Sequence, residues 1–153
     1  RLVGSEMCIR DSLDAGLKGL AGLRTPVTRP DCTHAYYTYC IVYDPEVTGI
    51  PRAVVHAALL AEGIPSLGAR YENIHLLPMY QKKMAYGSKG FPWNSDICKR
   101  DVSYAKGICP VAEDLNEKKF MALGICSHTF DDAEVDLVIA AFQKVWSNLE
   151  ALR

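Results

Sequence analysis

The sequence predicts an α+β fold, a small sheet with helices packed on it, within the broader α/β class. Three observations carry that expectation. Residues 35–43, AYYTYCIVY, form an unbroken aromatic and β-branched run, the composition of a strand. Residues 131–152 hold Val135, Val138, Ile139, Phe142, Val145, Trp146 and Leu149 at spacings of three and four, the stripe of a long amphipathic helix. Between them, short strand-like and helix-like stretches alternate, so one helical layer must cover one small sheet.

The elements follow in order. Leu13, Leu17 and Leu20 share a helix face, and Gly16, Gly19 and Gly22 weaken and then end that helix. Pro26 and Pro30 make residues 25–33 an extended connector. The strand over 35–43 closes at the Asp44-Pro45 turn. Pro51 suits a first helical turn, and Val54, Val55, Ala58, Leu59 and Ala61 form an apolar stripe. Gly63 then caps the helix in the left-handed region and Ile64 folds back onto it, which predicts a helix over 51–62. Residues 65–71 read as short and extended, and Pro78 begins a brief helix reaching Met84. Residues 87–109, with Gly87, Gly90, Pro92 and Gly107, have little periodicity; a loop this long in a compact domain is often functional. Helix returns over 110–123, with Val111, Leu115, Phe120 and Leu123 partly in phase, and stops at Gly124. Residues 125–128 read as a short strand. Asp131 with Glu134 three residues later is a capping box opening the last helix.

Composition bounds the function. With 49% apolar and 23% charged residues the chain has an ordinary globular balance, enough for one domain to bury a core. A net charge of −1 makes no electrostatic case for nucleic acid or an anionic membrane. No stretch approaches the roughly 20 apolar residues of a membrane span. The six cysteines include no C-x-x-C pair, which argues against a zinc ribbon or a redox motif. Without a secretory signal the thiols are expected to be reduced, and the location cytoplasmic.

Residues 1–12, RLVGSEMCIRDS, read differently from the rest. Glu6 to Ser12 back-translate to GAG ATG TGT ATA AGA GAC AGC, which resembles the transposon end used to prepare DNA sequencing libraries, and Arg1 to Ser5 resemble the adapter joined to it. Residues 1–12 are therefore expected to be a non-native, adapter-derived segment that packs against nothing, the alternative being a natural N-terminal arm. Residues 13–153 are then one domain, and the natural protein is expected to extend upstream of Leu13.

Several blocks in fixed order carry a family resemblance. They are His34-Ala35-Tyr36-Tyr37-Thr38-Tyr39; Ala61-Glu62-Gly63-Ile64-Pro65; Tyr71-Glu72-Asn73-Ile74-His75-Leu76-Leu77-Pro78-Met79-Tyr80; Pro110-Val111-Ala112-Glu113-Asp114-Leu115; and the capped helix from Asp131. Together they resemble the C-terminal small domain of DegT/DnrJ/StrS pyridoxal-phosphate-dependent aminotransferases, over essentially all of residues 13–153. The segment from Gly90 to Cys109 is similar to an insert of members related to aminocyclitol and scyllo-inosose aminotransferases. The resemblance implies the small domain of a fold-type I aminotransferase and a homodimer with active sites at the subunit interface. It also implies transfer of an amino group from glutamate or glutamine to a keto-sugar or keto-cyclitol, with pyridoxal 5'-phosphate as electron sink. The lysine that holds the cofactor is expected upstream, since no lysine from Lys18 to Lys144 matches its motif; alone, the chain is expected to be inactive. Dehydratases of the same family, in which histidine replaces that lysine, stay open, as does a non-catalytic module that binds a small molecule and regulates a neighbour.

Within that resemblance four residues are expected on the substrate side. Tyr71 offers a hydroxyl to a sugar, His75 a ring nitrogen, and Arg70 a planar bidentate donor for a carboxylate or phosphate. Trp93 offers a stacking face, with Lys99, Arg100, Asp101 and Tyr104 nearby in sequence. The plainer readings are a packed histidine at His75, a surface charge at Arg70 and a solvated loop around Trp93. Tyr36, Tyr37 and Tyr39 read as sheet residues, His34 as structural and His56 as surface. No His, Cys, Asp or Glu set has metal-ligand spacing, and no catalytic residue is named.

Overall fold

The computed structural model describes residues 2–69, 71–127 and 130–153, with side chains from Cys8 onward. The chain forms two compact units, one of residues 1–70 and 117–153 and the other of residues 71–116.

The first unit is a four-stranded antiparallel sheet with helices against it. Its strands are β1 (Leu23–Arg24), β2 (Tyr39–Tyr43), β3 (Leu67–Gly68) and β4 (Phe120–Leu123), in the order β1-β2-β4-β3. Tyr39 pairs with Leu123 and Ile41 with Met121. Period-two alternation puts Tyr39, Ile41, Tyr43, Met121 and Leu123 on one face, and all five are buried. Helix α2 (Pro45–Thr48) is a single turn after β2, and helices α1 (Leu2–Leu17), α3 (Arg52–Ala61) and α6 (Asp132–Ser147) supply the rest of the core: Ile9, Leu13 and Leu17; Val55 and Leu59; Val135, Val138, Phe142 and Val145. Each such side chain contributes roughly 1.5–3 kcal/mol by leaving water. The expected α+β architecture is what forms.

The buried tyrosines each find a polar partner for the hydroxyl. Tyr39 donates to Asp14 Oδ1 at 2.5 Å, and Tyr43 donates to the Ile50 carbonyl at 2.9 Å and also meets Thr48. Burial, and then Asp14, push the Tyr39 phenol well above its ordinary range. The capping box at Asp131 and Glu134 is present in both directions, with Glu134 N–H donating to Asp131 at 2.8 Å and Asp131 N–H to Glu134 at 3.1 Å. Gly63 has φ +86° and Ile64 is buried behind it, as the helix-stop pattern predicts.

Several expectations are corrected. Residues 1–12 do not stand apart: Ile9 lies on α1, four residues before Leu13, and is only 7% exposed. Its position continues the 9-13-17 stripe, so the same helical face that buries the leucines buries it too. The strand predicted over 35–43 starts at Tyr39. Tyr36 has φ +46°, its N–H bonds His34 Nδ1 at 2.8 Å, and the chain turns there; its ring is still buried, whereas Tyr37 is exposed. The helix predicted over 110–123 is short, α5 (Pro110–Asp114) followed by a wide turn over Leu115–Lys119, and Phe120–Leu123 are strand β4. Met121 and Leu123 alternate with half-buried Phe120 and Ala122, and pairing with both β2 and β3 outweighs a mixed local propensity. Ile125–Ser127 form a turn where a strand was expected, with His128 outside the described residues. His56 is not a free surface group, since its Nε2 lies 3.0 Å from the Leu67 carbonyl.

The second unit contains a single 3-10 turn (Ile74–Leu76), α4 (Pro78–Gln81), the predicted long loop and α5. Among residues 71–116 the one fully buried residue is Glu113. Among the described residues no cysteines are joined in a disulfide and no helix is long and apolar enough to cross a membrane.

Candidate functional site

The second unit brings its polar residues together around Glu113. Pro110 starts α5, which sets Glu113 in its first turns, where a carboxylate meets unpaired backbone N–H groups. Gly107 N–H donates to both carboxylate oxygens, at 2.8 and 2.9 Å, and Cys109 N–H to Oε1 at 3.3 Å. His75 Nε2 lies 2.8 Å from the same Oε1. Gly107 has φ +98°, a conformation open to glycine, and this turns its N–H onto the carboxylate. Burial works to raise the Glu113 carboxyl, but the donors from Gly107, His75 and Cys109 outweigh it and hold the group below the usual carboxylate range. Glu113 is therefore ionised at neutral pH and acts as acceptor only.

His75 is held from a second side. Gln81 Nε2 donates to the His75 carbonyl at 2.7 Å and to the Tyr104 carbonyl at 2.5 Å, clipping the 3-10 turn to the long loop. That loop returns an aromatic cluster. Trp93 Nε1 donates to the Tyr104 hydroxyl at 3.0 Å, and Tyr80 packs edge-on to Trp93 and tilted on Tyr104, with centroids 6.0 and 5.2 Å away. Asn116 closes the other side: its Oδ1 accepts Tyr71 N–H at 3.2 Å and its Nδ2 donates to Asn73 Oδ1 at 2.7 Å. The result is an open cleft of about 420 Å³ lined by Glu72, Asn73, Ile74, His75, Tyr80, Tyr104, Cys109, Ala112 and Asn116. Aromatic edges beside amide and imidazole groups suit a polyhydroxylated ligand, which presents apolar C–H faces and hydroxyl donors together.

The four predicted substrate residues fare differently. His75 lines the cleft, with its Nε2 on Glu113. Tyr71 is 68% exposed and tied in through its backbone N–H, with its phenol free of the cleft lining. Trp93 is half-buried behind the cleft and buttresses Tyr104 and Tyr80, which are the rings that line it. Arg70 lies outside the described residues. Of the charges near Trp93, Asp101 pairs with Lys83 at 2.7 Å on the surface, an exposed pair that stabilises little. Sequence reasoning passed over Glu113, Tyr80 and Asn116. The available signal was an acidic residue three positions after a helix-starting proline, the place where a carboxylate meets backbone donors.

The fold has close counterparts. Three solved structures cover nearly the whole chain: the aminotransferase TlmJ from Streptoalloteichus hindustanus (TM-score 0.62, 24% identity, 98% of this chain), S. venezuelae DesV in complex with a ketimine intermediate (0.67, 22%, 94%) and a DegT DnrJ EryC1 StrS aminotransferase from Brucella abortus (0.63, 22%, 93%). The chain spans 32%, 31% and 30% of those three chains. A curated relative, the spore coat polysaccharide biosynthesis protein SpsC of Bacillus subtilis (strain 168), is 30% identical over 84 residues, which is 55% of this chain and 22% of SpsC. No family model matches the chain. The resemblance read from the sequence thus holds in three dimensions: the chain has the fold of about a third of an aminotransferase of this kind.

Proposed function

We propose that the chain is the C-terminal part of a pyridoxal-phosphate-dependent aminotransferase of the DegT/DnrJ/StrS type, which moves an amino group from glutamate or glutamine to a keto-sugar or keto-cyclitol. The observation that carries this reading is the fold likeness to aminotransferases along 93–98% of the chain. The cleft beside His75 supports the sugar half of it, since its lining offers hydrogen bonds and ring edges.

The residues present do not fit the cofactor. No lysine lines the cleft, and Glu72 with the ionised Glu113 behind His75 would repel a phosphate dianion. Pyridoxal phosphate, which would carry the amino group, is assigned to the other two thirds of the enzyme, and this chain supplies substrate contacts. His75 is the contact the geometry favours; Tyr71, Trp93 and Arg70 complete the proposed set, Trp93 by holding Tyr80 and Tyr104 in place. We further read residues 1–12 as adapter-derived and 13–153 as the small domain, with Ile9 buried because its position falls in phase with Leu13 and Leu17. The whole enzyme is read as a cytoplasmic homodimer.

The test uses the complete protein encoded by the uninterrupted gene. It should bind pyridoxal phosphate, show a yellow absorbance that borohydride bleaches, and aminate a nucleotide-linked keto-sugar in the presence of glutamate. A full-length protein that binds no pyridoxal phosphate would overturn the reading. His75→Ala should raise KM for the keto-sugar while leaving cofactor binding intact.

A further inference from the structure

Glu113 is buried, ionised and acceptor-only, and it accepts from three different residues. That fixes more than its own place. An ionised carboxylate at 2.8 Å from His75 Nε2 requires a proton on that nitrogen. In the neutral ring the proton then cannot sit on Nδ1 as well. No other described residue bonds Nδ1, and among the described residues it is not one of the sealed side-chain nitrogens that lack a partner, so it keeps access to solvent. His75 is among the residues that line the cleft, and its side chain keeps 10% exposure. The Gln81 clip holds the His75 backbone, the Gly107 and Cys109 donors hold the Glu113 carboxylate, and the Nε2 contact with that carboxylate orients the ring.

We infer that Glu113 is a positioning residue. It holds His75 with the proton on Nε2, so that Nδ1 is presented to the cleft as a hydrogen-bond acceptor for a hydroxyl of the ligand. The arrangement follows a general pattern in which a carboxylate on one imidazole nitrogen fixes the tautomer and orientation at the other. Because the Glu113 side comes from α5 and the His75 side from the turn before α4, the acceptor is set by the packing of two elements and not by one flexible loop. The consequence for specificity is directional. A ligand hydroxyl at this point is favoured, and a ligand carbonyl or phosphate oxygen is disfavoured, since two acceptors would face each other unless the ring takes a second proton. The identification of that ligand as a sugar rests on the aminotransferase reading; the state of the ring does not.

The test therefore reads the ring alone, in the full chain with no cofactor or substrate. Nitrogen-15 labelled histidine, assigned with His75→Asn, should show the proton of the neutral His75 ring on Nε2 and not on Nδ1. It should also show an Nε2–H slow to exchange with water and close in space to the Gly107 N–H, since both point at Glu113. Glu113→Gln weakens a charge-assisted bond to an ordinary one, and the Nε2–H should then exchange roughly five- to tenfold faster. A carboxylate that served only the Gly107 and Cys109 N–H groups would leave the ring nitrogens unmoved. A His75 ring protonated on Nδ1 alone, an Nε2–H that exchanges freely in the unaltered chain, or an exchange rate unchanged in folded Glu113→Gln would each overturn the inference. If Glu113→Gln does not fold, the tautomer and protection in the unaltered chain decide it. Any of these failures would leave the aminotransferase reading standing, and absence of pyridoxal phosphate binding in the complete protein would leave the ring measurement standing.

Discussion

Substituting Gly16 by alanine should destabilise the first unit, although local propensity argues for the opposite sign. Gly16 lies in α1, where alanine would gain about 0.5–1 kcal/mol over glycine from helix propensity alone. The structure opposes that gain with a collision. A Cβ built on Gly16 falls 2.6, 2.7 and 2.8 Å from Cγ2, Cδ1 and Cγ1 of Ile139 on α6, against the roughly 3.5–4.0 Å of ordinary carbon contact. Ile139 cannot readily swing aside, because a β-branched side chain in a helix has one strongly preferred χ1. The helices are also tied at this level, with Gln143 Nε2 donating to the Gly16 carbonyl at 3.2 Å, and Trp146 Nε1 holds the chain just past α1 through the Ala21 carbonyl at 2.9 Å. Overpacking of this kind costs about 1–3 kcal/mol, so the net effect expected for Gly16→Ala is a loss of about 1–2 kcal/mol. Ile139→Ala removes all three colliding atoms. In that background Gly16→Ala should become neutral or stabilising, which gives a coupling energy of about 2 kcal/mol across the cycle. Urea unfolding followed by far-UV circular dichroism measures all four corners. If Gly16→Ala stabilises the otherwise unaltered chain, or if the two substitutions simply add, the close approach of α1 and α6 is wrong.

Other outcomes follow from the same structure. Because Glu113 sits below the usual carboxylate range when folded, its bonds stabilise fully above that range and are lost as pH falls through its own lower value. Hydrogen exchange at Gly107 should accordingly speed up in acid beyond the intrinsic rate, and a Glu113→Gln variant with the same acid profile would contradict this. Burial and the Asp14 partner hold the Tyr39 phenol up, so its contribution is complete below the ordinary tyrosine range and disappears only as pH rises through its higher folded value. An ultraviolet titration should show Tyr39 ionising last, and Tyr39→Phe should remove that late component while costing about 1 kcal/mol of stability. Arg52 is 9% exposed, and its guanidinium donates to the Phe120 and Glu117 carbonyls at 3.0 and 2.9 Å. Arg52→Lys loses the fork and should lower the unfolding midpoint by the equivalent of about 1–2 kcal/mol, whereas an unchanged midpoint would argue against that pair of bonds.

The parts of the fold that were legible in the sequence are those in which one local rule decides. The capping box at Asp131 and Glu134, the Gly63 stop and the 135–149 stripe each need only neighbours along the chain. Strand β4 was not legible because FMAL is as good a helix as a strand; its pairing with β2 and β3, far away in sequence, makes the choice. Gly16 was read as a weakness in a helix, and its actual reason is a partner helix that the local sequence does not contain. The candidate site shows the same division. His75 stood out as a histidine within a recognisable block, but Glu113, thirty-eight positions along the chain, is connected to it only by the fold. Trp93 drew notice for its ring, and its actual place is behind two tyrosines that drew little.

A unit whose one fully buried residue is a carboxylate is held in an unusual currency. Opening residues 71–116 uncovers backbone donors, amides and half-exposed rings, and very little apolar surface that was dry. Since heat-capacity and denaturant slopes track apolar and total surface exposed, that opening should carry a small heat-capacity change and a shallow urea dependence. Cooling would not loosen it as it loosens a hydrophobic core. The sheet-and-helix unit, with its dry face from Ile9 to Val145, should melt with the curvature and steepness expected of a packed core. Two transitions of different slope within one short chain are thus written into where its apolar side chains were placed.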